Sequence, residues 1–172
     1  MSDEVPPAPP LPSKDIPAVA ELAERRQWVC WRYVQRTPGK KPTKEPCQPN
    51  GAKAKSTDPS TWSSFDECLE AAQRNGWGVG FVVTKDDPYV GVDLDEVFTD
   101  GGELQPWAAD IIGELNTYVE LSPSRAGLRG FVMGELPPGR RRRGSIEIYE
   151  TERYLSVTGL GLDSAPDEIE EA

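Results

Sequence analysis

The chain contains no histidine. That absence excludes Ser-His-Asp and Cys-His nucleophilic catalysis, histidine general-base chemistry and histidine-ligated zinc. Cysteine is scarce: Cys30, Cys47 and Cys68 are an odd number with no CxxC spacing. A disulfide scaffold and a structural zinc site are therefore not expected, and a reducing cytoplasm is the expected compartment. No stretch reaches the ~18 consecutive apolar residues of a membrane span. The acidic, proline-rich start lacks the basic-then-apolar pattern of a secretory signal. No membrane partner is expected. Chemistry here has to run on carboxylates, hydroxyls, lysine or arginine, with a hard metal as companion.

What is present is one domain's worth of chain, 172 residues, enough for a real core and too short for two ordinary domains. Glycine (16) and proline (17) are abundant, which favours many turns over a helical bundle. The formal charge of −10 is unevenly spread. Residues 163–172 carry five acids and no base, and residues 1–15 carry Asp3, Glu4 and Asp15 against Lys14, which leaves −3 for residues 16–162. Residues 1–15, with five prolines, read as a disordered or polyproline arm. Residues 163–172 read as an acidic flexible tail. The intervening 16–162 is the folded part.

Within it the hydrophobic pattern switches repeatedly between helical and strand periods. Residues 16–27 have helical spacing. WVCWRYV (28–34) is a strand rich in aromatic and β-branched residues, followed by a turn-rich, basic stretch with a short strand at 43–47. Ser64 and Glu67 have capping-box spacing for a helix running through Gln73. VGFVVT (79–84) and YVGVDLDEV (89–97) are the strongest strands. Pro106 opens a helix over 107–116, and TYVEL, LRGFVMG, SIEIYE and RYLSVTG are further strands. The fold class is α/β of the α+β kind, rich in hairpin-like pairs.

Three places can carry chemistry. Asp93 and Asp95 end an apolar strand, and residues i and i+2 of a strand share a face. Two carboxylates on one face repel unless a cation lies between them, which suits Mg2+ or Mn2+. A solvated strand end is the plainer alternative. Glu147 alternates with Ile146 and Ile148 and completes a three-acid site if its strand lies beside that of Asp93; alone, it is one polar position on a half-exposed strand. The loop Ser122-Pro123-Ser124-Arg125-Ala126-Gly127-Leu128-Arg129 offers backbone N–H groups, two hydroxyls and two guanidinium groups to a phosphate, or is an ordinary turn. Lys44 belongs to a lysine-rich stretch that also holds Lys40, Lys41, Lys53 and Lys55, a phosphate-facing rim or a solvated loop. Arg140, Arg141, Arg142 and Arg143 follow Pro137-Pro138-Gly139 and suit a nucleic-acid backbone or a soluble hairpin tip.

Taken in order, WVCWRYV, the 45–72 block, GVGFVVTKDDPYVGVDLDEV, YVELSPSRAGLRGFVMGELPPGRRR and IEIYETERYLSVTG resemble the N-terminal primase–polymerase domain of phage and plasmid replication proteins, in the archaeo-eukaryotic primase superfamily. The resemblance covers roughly residues 20–160. It implies an RRM-like antiparallel or mixed sheet joined to a smaller α/β unit, with the active site between them. It implies template-directed nucleotidyl transfer on single-stranded DNA with NTP or dNTP substrates, two divalent metals (Mg2+ or Mn2+), and a replicative helicase domain or protein as partner. Asp93, Asp95 and Glu147 would be the metal-binding catalytic acids. Ser122, Ser124, Arg129 and Lys44 would hold the triphosphate, and Arg140–Arg143 would lie along nucleic acid. Arg129 stands where that family has histidine, so a catalytically weakened nucleotide- or DNA-binding replication module is the alternative. A DxD glycosyltransferase is a third reading, for which the chain is short.

Overall fold

The computed structural model describes residues 6–136 and 142–171, with backbone alone at Arg142. Among these residues the chain forms α1 (Pro17–Leu22), β1 (Trp28–Val34), β2 (Thr43–Cys47), α2 (Phe65–Asn75), β3 (Gly78–Val83), β4 (Tyr89–Leu94), α3 (Pro106–Leu115), β5 (Val119–Leu121), β6 (Leu128–Met133), β7 (Arg142–Arg143), β8 (Ile146–Tyr149) and β9 (Arg153–Val157). The strands make two sheets, ordered β2-β1-β3-β9 and β5-β6-β4-β8-β7. Every pairing within them is antiparallel. The architecture is α+β.

The first sheet is built on β1, whose Trp28 and Cys30 face α2. Trp28 meets Phe65 edge-on at 4.8 Å between ring centroids, and Cys68, Ala71 and Ala72 complete the contact. α2 starts where the sequence says it should: Ser64 Oγ accepts from the Glu67 N–H while the Glu67 carboxylate accepts from the Ser64 N–H. That reciprocal cap satisfies two of the helix's orphan donors. α1 is shorter than its pattern suggests and ends at Leu22. The sheet curls strongly. β2 and β9 are its opposite edges, yet the Tyr154 hydroxyl on β9 donates to the Lys44 carbonyl on β2 at 2.7 Å.

The second sheet alternates cleanly. Val92 and Leu94 of β4, Leu128 of β6 and Val119 of β5 bury against Ala108 and Ile112 of α3. Tyr89, Gly91 and Asp93 point the other way, toward the first sheet. There Tyr89, Phe131, Phe81 and Leu155 belong to one core, with Phe81 5.9 Å from both Tyr89 and Phe131 between centroids. Gly91 sets the spacing. A Cβ at that position would come within 2.6 Å of the Leu155 side chain, so only glycine lets β9 settle onto β4 two residues from Asp93.

Among the described residues, parts of both terminal segments pack on the core, where composition suggests a free arm and tail. In the arm, Pro12 is buried and Leu11 packs on the main core. In the 163–172 segment Ile169 is 4% exposed and sits in the same core. Its backbone is tied down by Tyr118 N–H to Glu168 O and Met133 N–H to Glu170 O, each at 2.9 Å. Composition misleads here because one isoleucine anchors a segment whose acids, such as Asp167 and Glu168, face solvent. Among the described residues no helix is long and apolar enough to cross a membrane.

Candidate active site

Register brings the charged residues together. Arg129 of β6 pairs with Asp93 of β4, and Asp93 pairs with Glu147 of β8. On the outer side Arg129 pairs with Glu120 of β5. Directly opposed residues share a face of the sheet, so Glu120, Arg129, Asp93 and Glu147 form one row across four strands. The row lies on the face turned toward the first sheet. There a cleft of about 370 Å3 opens between the two, lined by Lys44, Asp93, Arg129, Tyr149 and Arg153 to Ser156, with Pro42 and Thr43 at its rim.

Asp93 and Arg129 form an ion pair, their side chains only 17% and 14% exposed. Burial raises the Asp93 pKa; Arg129 opposes that, and Asp95 and Glu147 push it further up. Asp93 is thus close enough to feel both other acids. Asp95 follows the end of β4 and is exposed; its N–H donates to Ser145 O at 2.9 Å. Lys44 reaches the cleft from the first sheet. Burial pulls its pKa down, Arg129 adds to that, and Asp93 and Asp95 counteract it.

The serine loop is held in shape by hydrogen bonds of its own. Ser122 is buried, its hydroxyl accepting from the Gly127 N–H at 3.1 Å and meeting Ser124 Oγ at 3.2 Å. Ser124 Oγ accepts from the Ala126 N–H. Both hydroxyls help to shape the turn, and that shape serves the site. A Cβ on Gly127 would stand 2.7 Å from Leu94 O and 3.3 Å from Asp95 Oδ1, so the loop closes directly on the second aspartate.

The basic run divides. Arg140 and Arg141 lie outside the described residues. Arg142 and Arg143 form β7, with Arg142 paired to Glu147 and Arg143 to Ile146. Ile146 faces α3, and Arg143 lines a separate groove there with Trp107 and Ile111. Arg143 therefore belongs to the face away from the cleft. Sequence reasoning missed Glu120, Tyr149, Arg153 and Tyr154. Glu120 carried a signal, an acid inside the apolar alternation of TYVEL; the others depend on how the first sheet curls.

The donor set can be tested against a divalent ion. Asp93, Asp95 and Glu147 offer oxygen ligands only, the set a hard ion takes. Among the described residues, however, no three acids converge on one point as the side chains stand. The Arg129 guanidinium occupies Asp93 in the manner of a stand-in cation. The residues fit a hard metal in kind, with an arginine at the first ligand.

No family model matches the sequence. Over 162 residues it is 38% identical to the DNA primase-polymerase of Nitratiruptor phage NrS-1. The chain is similar to a phage primase-polymerase. The overlap takes in 89% of this chain but 22% of that protein, so it matches one region of a much longer enzyme. This agrees with the resemblance carried by the ordered motifs.

Proposed function

We propose that the chain is a primase–polymerase domain that joins nucleotides on a single-stranded DNA template in phage or plasmid replication, acting alongside a helicase. The observation that carries this reading is the register row that sets Arg129, Asp93 and Glu147 side by side opposite Lys44. Nucleotidyl transfer needs anionic ligands for metal on one side of the reacting phosphate and cations for the leaving pyrophosphate on the other, and little covalent chemistry beyond that.

Asp93, Asp95 and Glu147 are the residues that would hold Mg2+ or Mn2+. Bound there, divalent ions supply activation of the attacking 3′-hydroxyl and charge neutralisation at the triphosphate. The protein's own contribution is positional. Arg129 and Lys44 face the cleft as paired cations for phosphate oxygens, and the Arg129 fork can take two oxygens at once. Arg129 stays protonated throughout and so binds without moving a proton. Lys44, its pKa drawn down by burial and by Arg129 and held up by Asp93 and Asp95, is the more readily deprotonated of the two. Leu155 and Tyr154 wall the cleft from the first sheet.

The test is extension. The purified chain with Mg2+ or Mn2+, a single-stranded template and labelled nucleotides is expected to yield short products that Asp93→Ala abolishes. A second reading, a binding module without turnover, is favoured by the Arg129–Asp93 ion pair, which takes up the first acid. Labelled nucleotide retained by the chain with no product at any metal concentration selects that reading.

A further inference from the structure

The Arg129–Asp93 ion pair has a consequence for how the cleft is loaded. Arg129 has an acid on either side of it in the row, and the two are not equivalent. Glu120 is saturated: it accepts from the Tyr118 hydroxyl, the Thr158 N–H and hydroxyl, and the Gly159 N–H. Asp93 is the acid that Arg129 engages. A carboxylate oxygen held by a guanidinium is closed to a cation, and an arginine and a divalent ion at one carboxylate repel each other. Arg129 engages Asp93 through Oδ1, and its charge opposes a divalent ion at either oxygen, so Asp93 takes metal more tightly when Arg129 leaves it. What draws Arg129 away is an anion of matching geometry in the same cleft, and a phosphate offers the bidentate partner that a carboxylate does.

We infer that Arg129 is an exchange residue: it neutralises Asp93 in the empty cleft and transfers to the triphosphate of an incoming nucleotide, so that Asp93 becomes a metal ligand only as nucleotide binds. This rests on the reading of the cleft as a nucleotide and metal site. It predicts a reciprocal coupling between the two ligands and makes the resting site a poor trap for stray divalent ions.

The decisive measurement is Mn2+ binding without nucleotide, counted by the electron paramagnetic resonance signal of free Mn2+. Arg129→Gln is expected to bind Mn2+ about tenfold more tightly than the unmodified chain, within the usual range of site coupling. Asp93→Asn in that background is expected to remove the gain. Lys44→Gln removes a positive charge from the same cleft but leaves the ion pair in place, and is expected to raise the affinity much less. On the unmodified chain, which needs no refolded variant, the nitrogen-labelled Arg129 side-chain resonance is expected to move when dATP is added in EDTA and to stay when deoxyadenosine is added. Equal Mn2+ affinity in the unmodified chain and Arg129→Gln, equal gains from Arg129→Gln and Lys44→Gln, or an Arg129 resonance indifferent to dATP would each overturn the exchange while leaving the metal site standing. No Mn2+ bound by any variant, with dATP or without, overturns the exchange and the underlying reading together.

Discussion

Glu120 and Asp93 stand on either side of Arg129 in the same row of the same sheet, and they do opposite things. Glu120 is fully buried and its oxygens are filled by four donors from Tyr118, Thr158 and Gly159. It fastens the segment after β9 to β5, and the backbone pairing of Glu120 with Gly161 continues that seam. Asp93 is partly open to a cleft, and its ion-pair partner is the long side chain of Arg129, which lines the same cleft. An acid whose acceptor capacity is met by two backbone N–H groups and two hydroxyls has little left to offer a ligand. An acid held by one guanidinium keeps acceptor capacity that a ligand could use once that partner moves. Burial alone does not separate a carboxylate whose acceptors are filled from one that still faces a cleft; the identity of the partners does.

The largest test of that contrast is on activity. Asp93→Asn is expected to reduce nucleotide incorporation by at least about 10²–10³-fold, the scale for losing an electrostatic contact made to the reacting group, with a smaller change in the urea midpoint than Glu120→Ala produces. Incorporation and urea denaturation are measured on the same preparations. Retention of more than about a tenth of the incorporation by Asp93→Asn would break the assignment.

Glu120→Ala is the mirror experiment, read in stability. It leaves the Thr158 and Gly159 N–H groups and the Tyr118 hydroxyl without their acceptor in a buried site. One unsatisfied buried donor costs about 1–3 kcal/mol, and the expected loss is about 3–4 kcal/mol because part of it is relieved by water entering the new cavity. A Glu120→Ala chain as stable as the unmodified one would mean that the seam after β9 is held by something else.

Gly127→Ala probes the link between the loop and the site. Its Cβ would press on a backbone oxygen, Leu94 O, at 2.7 Å, which the loop can relieve only by backing away from Asp95. A loss of about 1–3 kcal/mol is expected, as for overpacking elsewhere. Incorporation is expected to fall by less than for Asp93→Asn, since Asp95 is displaced and not removed. An alanine tolerated in both assays would show that the loop does not position Asp95.

Much of this arrangement was legible in the sequence because it depends on local pattern. The strand at 28–34, the capping box at Ser64 and Glu67, Pro106 at a helix start and the alternation around Asp93 and Glu147 are each written within a few residues, and each appears. That Glu147 pairs with Asp93 follows from strand order, which pattern does not encode; the resemblance supplied it. What stayed hidden was set by distant packing. That Gly127 folds the serine loop back, so that its amide donates to the Ser122 hydroxyl, could not be read from the run of small residues. The acidic end looked free because one buried isoleucine carries little weight in composition. Lys44 shares a cleft with Asp93 because the first sheet curls until β9 touches β2.

The smallest expected effect is on the pH dependence of stability, and it tests Glu120 most finely. Burial raises the Glu120 pKa above its ordinary value of 4.5, while the donors from Thr158, Tyr118 and Gly159 oppose that shift. With burial the larger influence, the native state keeps a proton, over a window running upward from about 4.5, that the unfolded chain has already released. Stability then falls as pH rises through that window, because the unfolded state binds fewer protons than the native one. Glu120→Gln cannot titrate, so its urea midpoint is expected to fall less steeply over the same range, whatever its absolute stability. Asp93, also raised by burial, contributes a slope of the same sign, and it remains in the variant as an internal control. A variant curve steeper than that of the unmodified chain would mean that the four donors outweigh burial and hold Glu120 ionised. The seam after β9 would then be a charge-assisted clamp, stabilised by rising pH and weakened by acid.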